Sequence, residues 1–244
     1  MPADRAALAA LEAEIVACRR CPRLVEWRET VARDKVKRFR DEPYWGRPLP
    51  GFGDPGARIF IVGLAPAAHG GNRTGRVFTG DASGDFLWAA LHRAGLADCA
   101  SSRRADDGLT LHDVRIAAAV RCAPPANKPT TEERDTCAPF LARELAALQQ
   151  VRVIVALGAF GWDATLRVLT AAGHVTVDGR RPVFGHLAET RVGPYVLLGS
   201  YHPSQQNTFT GRLTAPMFDA VIDRAQRAPE TEPPPNYSGS RNRT

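Results

Sequence analysis

The residues best suited to chemistry lie in two polar stretches, each of which follows a short apolar run. The first, Gly63–Asp81, reads GLAPAAHGGNRTGRVFTGD; it follows Arg58–Val62, contains five glycines and ends in a carboxylate. The second, Gly199–Ser204, reads GSYHPS and carries the imidazole of His202. A carboxylate and an imidazole can act as general acid and base, or stabilise charge in a transition state. Asp81 and His202 are therefore the first candidates for catalysis.

Each candidate also has a structural interpretation. Asp81 could be the N-cap of the following helix, although Ser83 can fill that role and leave the carboxylate free. His202 could be a core histidine, and the glycine-rich stretch could be an ordinary surface loop. That stretch is neither a Walker loop, since no Gly-Lys-Ser/Thr follows, nor a dinucleotide site, since the Gly-x-Gly-x-x-Gly spacing is missing.

Four apolar runs alternate with helical patterns and must position these groups. The predicted strands are Arg58–Val62, Val114–Val120, Val151–Leu157 and Tyr195–Leu198. Helices are expected from Ser83 to Ala94, after the capping box formed by Thr130 and Glu133, and after Thr214. Repeated β-then-α units predict an α/β fold with three α/β/α layers and a central four-stranded, mainly parallel sheet.

Parallel strands connected by right-handed crossovers bring their carboxyl ends to one edge of the sheet. Loops 63–81, 121–129 and 199–212 should therefore meet there and form the candidate site. One domain is expected over residues 1–227. Residues 228–244 are rich in proline and polar residues, which predicts a disordered tail.

Charge and hydropathy limit the choice of partners. The net charge of +6 suits a polyanion such as nucleic acid, although solvated arginines would also account for it. No run of about 18 apolar residues exists, so no membrane span is expected. The N-terminal segment has a helical pattern that contains Glu12 and Glu14 rather than the pattern of a signal peptide, which predicts a cytoplasmic protein.

Four of the five cysteines are candidates for metal ligands. Cys18 and Cys21 form a C-x-x-C pair, whereas fourteen residues separate Cys122 from Cys137. Four thiolates suit either zinc or an iron–sulfur cluster. The wide second spacing is unlike the two close knuckles of a structural zinc site and favours a [4Fe-4S] cluster. Structural zinc and four unrelated buried cysteines remain the alternatives, and Cys99 is expected to be a free thiol.

Taken together, these motifs resemble a known family. Gly63–Asp81, the sequence His202-Pro203-Ser204, its continuation Asn207–Thr214 and the four cysteines are similar to type 5 (B-type) iron–sulfur uracil-DNA glycosylases, members of the uracil-DNA glycosylase superfamily. The likeness extends from about Ala13 to Arg227, and the first motif matches along its whole length.

The resemblance implies excision of uracil, and of other deaminated bases such as hypoxanthine and xanthine, from DNA without cutting the backbone. The target base must first be flipped out of the helix. Asp81 would support the sugar cation or orient water, His202 would stabilise the base oxygen, and Asn127 matches a third polar residue of the site. Phe78 would stack on the base, and the pocket wall would be formed by Gly63, Leu64, Ala65, Pro66 and Ala67.

The expected DNA contacts come from both motifs. They are Asn72, Arg73, Arg76, Gln205, Asn207, Arg212 and Leu213. Leu213 has two interpretations of equal standing: a wedge that fills the vacated base stack, or the first buried residue of the last helix. No lysine is placed to form a Schiff base, which predicts a monofunctional enzyme. It would act as a monomer, associated with the nucleoid, on double-stranded DNA and with single strands as a further substrate.

Two other classes of function stay open at this point. One is an enzyme that binds a nucleotide or sugar phosphate through the glycine-rich loop. The other is a non-catalytic iron–sulfur module that only grips nucleic acid, with redox sensing through the cluster as a further variant.

Overall fold

A six-stranded sheet forms the centre of the molecule in a computed structural model that describes residues 5–176 and 179–228. The strands are β1 (Phe52–Gly53), β2 (Ile59–Gly63), β3 (Val114–Ala118), β4 (Val153–Leu157), β5 (Glu189–Val192) and β6 (Tyr195–Ser200). They lie in the order β1-β3-β2-β4-β6-β5. The part of the predicted tail that follows Ala228 lies outside the described residues.

The four predicted strands are the parallel centre of this sheet, β3-β2-β4-β6. The predicted total of four is wrong, because β1 and β5 add antiparallel edges. Both edges carry a weak sequence signal: β1 has two residues within a segment rich in proline and glycine, and β5 (ETRV) is largely solvated. β5 pairs with β6 in an antiparallel hairpin.

Helices cover both faces of the sheet and complete the predicted three layers. The helices are α1 (Arg5–Ala17), α2 (Pro22–Asp34), α3 (Gly71–Thr74), α4 (Ala82–Arg93), α5 (Thr131–Ala147), α6 (Gly158–Ala171), α7 (Gln205–Phe209) and α8 (Ala215–Gln226). Short 3-10 helices cover Lys37–Phe39 and Pro125–Asn127. Helices α4 and α8 pack on one face, α5 and α6 pack on the other, and α1 lies against α5.

Side chains along each central strand point alternately to the two faces of the sheet, so each strand contributes to both halves of the core. In β2, Ile59 and Ile61 join the cluster beneath α4 and α8, whereas Phe60 and Val62 join the one beneath α5 and α6. Successive side chains of a strand point to opposite faces, so a strand covered on both faces must be apolar throughout. All five residues of β2 are buried.

Local sequence signals fix several helix ends. The predicted capping box is present: Thr130 Oγ1 accepts a hydrogen bond from the Glu133 amide at 3.2 Å, and Glu133 Oε2 accepts one from the Thr130 amide at 2.8 Å. Together these bonds satisfy two amides at the start of α5.

No helix of the described residues is both long and apolar enough to cross a bilayer.

Candidate active site

Three loops meet at the carboxyl edge of the sheet, as the parallel topology requires. Asp81, Asn127 and Gln205, which come from the three predicted loops, line one cavity of about 550 Å³ together with Ala67 and other residues. A wider groove of about 980 Å³, between α5, α6 and the segments 172–176 and 179–182, is lined by none of the predicted site residues. The smaller cavity therefore brings Asp81, Asn127 and Gln205 together, whereas His202 and Phe78 are not among the residues that line it.

Asp81 caps α4 and also faces the glycine-rich loop. Its Oδ1 accepts a hydrogen bond from the Gly84 amide at 2.9 Å, so of the two candidate caps Asp81, and not Ser83, is the N-cap. The other carboxylate oxygen lies against Gly70, where an added Cβ would be only 1.9 Å away. Burial raises the pKa of Asp81, against the opposing effect of the amides of Gly84 and Ser83. One oxygen is thus fixed by the helix, and the other remains available to the site.

The backbone around Phe78 is held in an unusual conformation. Its φ is 51°, in the left-handed region that non-glycine residues rarely adopt. Its carbonyl accepts a hydrogen bond from Trp88 Nε1 at 2.6 Å. An added Cβ at Gly63 would be 3.0 Å from the Phe78 ring, and one at Gly84 would be 1.9 Å from the Phe78 carbonyl oxygen. Two glycines and a buried tryptophan therefore position this ring.

His202 follows β6 and packs its ring against Phe78. The ring centroids are 5.9 Å apart and the planes are tilted by 30°. Burial lowers the pKa of His202 to about 4, so the imidazole is neutral near pH 7 and one ring nitrogen carries a proton to donate. Asn207 Nδ2 donates a hydrogen bond to the His202 carbonyl at 2.9 Å, which ties the loop around the histidine to α7.

Asn127 reaches the cavity from a strained turn. It ends the 3-10 helix Pro125–Asn127, and both Ala126 and Asn127 have positive φ values, 51° and 54°. Asn127 is exposed, unlike the partly buried Asp81 across the same cavity. Strained backbone of this kind is concentrated at functional sites.

The predicted pocket wall, Gly63–Ala67, continues β2 into the site. The carbonyls of Gly63 and Leu64 accept hydrogen bonds from the Ala119 and Val120 amides at 2.9 and 3.1 Å. Ala65 packs beside Cys21 and Cys122, and Ala67 lines the cavity. This segment therefore lies between the cavity on one side and the cysteine region on the other.

Three residues expected to contact DNA are buried instead, and this corrects the prediction. Asn72 Nδ2 donates to the Arg28 carbonyl at 3.2 Å. Arg73 pairs with Glu42 and donates from Nε to the His69 carbonyl at 2.8 Å. Arg76 pairs with Asp107 and donates from Nη2 to Ser102 Oγ at 2.6 Å. Because their polar atoms bind within the protein, these side chains shape the motif rather than its outer surface.

The Arg76 contacts also fix the polar segment 98–108. Hydrogen bonds from Arg76 and from the Arg104, Arg103 and Leu109 amides lower the pKa of Asp107 to about 2, although burial opposes this shift. An ion pair between a buried guanidinium and a carboxylate thus fastens this loop to the first motif.

Leu213 is the buried start of the last helix, so its wedge interpretation is wrong. Its side chain is only 1% exposed and packs in the core with α8. Phe209, at the end of α7, is 79% exposed. Gln205 and Arg212 are exposed as well, and Arg212 stacks over the Tyr201 ring at 4.8 Å. Sequence reasoning missed Phe209, whose signal was a lone aromatic residue within a polar stretch.

Two further arginines at the cavity were missed. Arg38 and Arg103 are exposed, and both line the cavity that contains Asp81. In the described part of the chain neither has a carboxylate within ion-pair distance, whereas nearby Arg104 pairs with Asp106. The signals were the basic stretch from Arg23 to Arg40 and the position of Arg103 in the 98–108 loop.

The four candidate cysteine ligands converge on one small enclosed cavity. Cys18, Cys21, Cys122 and Cys137 all line it, together with Arg121. Burial raises the pKa of Cys122 to about 12 and that of Cys137 to about 11, so either side chain alone would be a protonated thiol. Among the described residues no set of His, Cys, Asp or Glu side chains forms a group that could hold a metal ion. Cys99 is free and exposed, as expected.

Comparison with known proteins identifies the family of the chain. The profile described as "Uracil DNA glycosylase superfamily" matches residues 50–226. The chain is 55% identical over 219 residues to the type-5 uracil-DNA glycosylase of Mycobacterium tuberculosis, covering 89% of this chain and 80% of the relative. It is 53% identical over 214 residues to that of Thermus thermophilus, covering 87% and 94%. The corresponding protein of Pyrobaculum aerophilum is 46% identical over 211 residues, covering 86% and 88%. The chain belongs to the type-5 uracil-DNA glycosylases of the uracil-DNA glycosylase superfamily.

Proposed function

We propose that this chain is a monofunctional DNA glycosylase that everts uracil from DNA and hydrolyses its N-glycosidic bond, leaving an abasic site for base excision repair. The observation that carries the proposal is the single cavity lined by Asp81, Asn127 and Gln205, with the His202–Phe78 ring pair on the adjoining loops. Family membership supplies the substrate, because the relatives are named uracil-DNA glycosylases.

The charges of the reaction explain the placement of the carboxylate. As the N-glycosidic bond breaks, the sugar becomes cationic and the base becomes anionic. Oδ1 of Asp81 is held by the Gly84 amide, which leaves the second oxygen to support the sugar cation or to orient the attacking water. The Asn127 amide lines the same cavity and assists in holding that water.

A neutral imidazole suits the opposite end of the scissile bond. With its pKa lowered to about 4, His202 remains uncharged at neutral pH and can donate an N–H bond to the base oxygen. A fixed donor aimed at developing negative charge lowers the barrier without reorganisation. Phe78, packed on the imidazole, offers its ring to the flipped base.

The pocket wall supports a broad choice of bases. The carbonyls of Gly63 and Leu64 are already bonded to the amides of Ala119 and Val120, so little of this backbone is free to test the edge of a base. Discrimination between bases depends on polar groups that reject a wrong partner. Hypoxanthine and xanthine are therefore proposed as further substrates.

Exposed residues around the cavity supply the DNA contacts. Arg38 and Arg103 would bind phosphates at its mouth, with Gln205 and Arg212 on the neighbouring α7 loop. Phe209 replaces Leu213 as the proposed wedge, because an exposed aromatic side chain can fill the space that the base vacates. Single strands would be accepted as well, since they need no wedge.

No lysine lines the described cavity, which supports hydrolysis without strand incision. Action as a monomer is proposed as well. The net charge of +6 suits association with the nucleoid in the cytoplasm.

The four cysteines are proposed to hold a [4Fe-4S] cluster. Four thiolates are the usual ligands of such a cluster, and all four cysteines line one enclosed cavity. The Arg121 amide donates to Cys137 Sγ at 3.4 Å, as an amide beside a metal thiolate would. When bound, the cluster supplies a cross-link between the segment 18–21, the start of the loop 121–129 and α5.

The direct test uses oligonucleotides that carry uracil, hypoxanthine or xanthine, in duplexes and in single strands. After incubation with the protein, alkali should cleave the strand at the position of the damaged base. Cleavage without alkali would contradict the monofunctional assignment. An intact strand after alkali, combined with tight binding of the DNA, would favour the non-catalytic module.

A further inference from the structure

Two deeply buried arginines have guanidinium nitrogens without hydrogen-bond partners. Arg28 and Arg121 are 2% and 1% exposed, and in each the Nε and Nη1 atoms bind nothing among the described residues. Buried polar groups are nearly always paired, and an unpaired buried charge costs several kcal/mol. These four donors therefore point to a partner that residues 5–176 and 179–228 do not provide.

Both arginines adjoin the cysteines. Arg28 Nη2 donates to the Cys18 carbonyl at 3.3 Å, and its charge acts on the Cys122 thiol. Arg121 lines the cavity formed by the four cysteines, and its charge acts on Cys137. Both guanidinium groups thus lie close to the cysteines, Arg121 on the wall of their cavity and Arg28 beside Cys18.

The balance of buried charge agrees with this placement. Arg28, Arg115 and Arg121 are buried, whereas Glu144 is the buried carboxylate of this network; it accepts hydrogen bonds from Arg115 at 2.8 Å and from Arg121 at 2.7 Å. Glu12, the second partner of Arg115, is 37% exposed. Glu29, whose Oε1 lies 3.7 Å from Arg28 Nη2, is 43% exposed as well. In this network three buried guanidinium groups thus face one buried carboxylate, and an oxidised cluster held by four thiolates is a dianion.

We propose that Arg28 and Arg121 are the counter-charges of this cluster and that their unpaired N–H groups donate to its sulfur atoms. The proposal rests on the [4Fe-4S] site in the proposed function. Donors to the sulfur atoms slow the loss of metal and favour the more negative reduced state, so the two arginines raise the reduction potential. Arg28 also links the cluster to the first motif, because its carbonyl accepts the hydrogen bond from Asn72.

The test compares Arg28→Met and Arg121→Met with a matched control, Arg115→Met. Arg115 is equally buried and shares Glu144, but its bonds go to carboxylates and to the Gly53 carbonyl rather than to the cysteine region. The measurements are the rate of iron release to a chelator, the visible absorbance and the reduction potential followed by electron paramagnetic resonance. Each of the two variants should release iron about tenfold faster and shift the potential to more negative values. Arg115→Met should change neither, although its unfolding temperature falls.

Arg28→Lys keeps the positive charge, so its reduction potential should lie between that of Arg28→Met and that of wild type. Iron release and potential that are unchanged in both test variants, or shifted equally in Arg115→Met, would overturn the proposal. If a variant fails to fold, wild-type protein with nitrogen-labelled arginine gives the answer: the reduced cluster should show magnetic coupling to arginine nitrogen, and the absence of coupling overturns the proposal. Wild-type protein that excises uracil but contains no iron overturns the cluster assignment and leaves the glycosylase assignment intact.

Discussion

Replacing Gly70 by alanine should inactivate the site although no catalytic residue is replaced. The new Cβ would be 1.9 Å from Oδ2 of Asp81, and Cβ atoms essentially never approach another heavy atom within 3.0 Å. The carboxylate oxygen must therefore retreat by about 1 Å, and a displacement of that size costs about 100-fold in rate. We expect the single-turnover rate of uracil excision to fall by about that factor.

The same substitution should also lower stability. The displaced carboxylate weakens the hydrogen bond that Asp81 Oδ1 accepts from the Gly84 amide at the start of α4. Loss of such a cap costs about 1 kcal/mol of unfolding free energy. Urea unfolding would measure this loss.

The matched control is Gly185→Ala, because the nearest atom to its added Cβ is Ala188 Cβ at 3.5 Å, an ordinary contact. Folded Gly70→Ala protein that excises uracil as fast as Gly185→Ala would refute the proposed position of the Asp81 carboxylate.

Three other predictions follow from the surroundings of the cavity. Burial lowers the pKa of His202 from 6.5 to about 4. The contribution of its neutral imidazole to the free energy of unfolding is therefore complete above pH 6.5 and is lost as the pH falls toward 4. Unfolding free energies across this range should therefore decline more steeply for wild type than for His202→Gln; parallel curves would contradict the neutral buried imidazole. Arg38→Ala and Arg103→Ala should each remove one phosphate contact. The slope of log binding constant against log salt concentration should then become shallower by about 1. The control is Arg33→Ala, which removes an arginine paired with Asp34 and should leave the slope unchanged. Phe209→Ala should slow excision from duplexes more than from single strands, and equal slowing on both substrates would reject the wedge.

The parallel centre of the sheet could be predicted because each of its strands is covered on both faces. Such a strand must be apolar along its length, as β2 is. The three loops meet at one edge of the sheet because the central strands run in the same direction. The edge strands β1 and β5 escaped prediction because one is short and the other is solvated, so neither needs a distinctive apolar pattern.

The arginines of the first motif show where sequence reasoning ends. Arg76 looks like a phosphate ligand along the chain, but its partners Ser102 and Asp107 lie far away in sequence and are brought to it only by folding. The N-cap of α4 shows a second limit. Asp81 and Ser83 both satisfy the local pattern, and the choice between them depends on where the helix begins.

The most direct test of the central claim is the single-turnover rate of uracil excision by Asp81→Asn. Asparagine caps a helix as well as aspartate does, so the bond from the Gly84 amide survives and only the negative charge is removed. The account predicts a rate at least about 100-fold below wild type, with an unchanged unfolding temperature. Wild-type excision by Asp81→Asn would show that the carboxylate in this cavity does not carry the reaction.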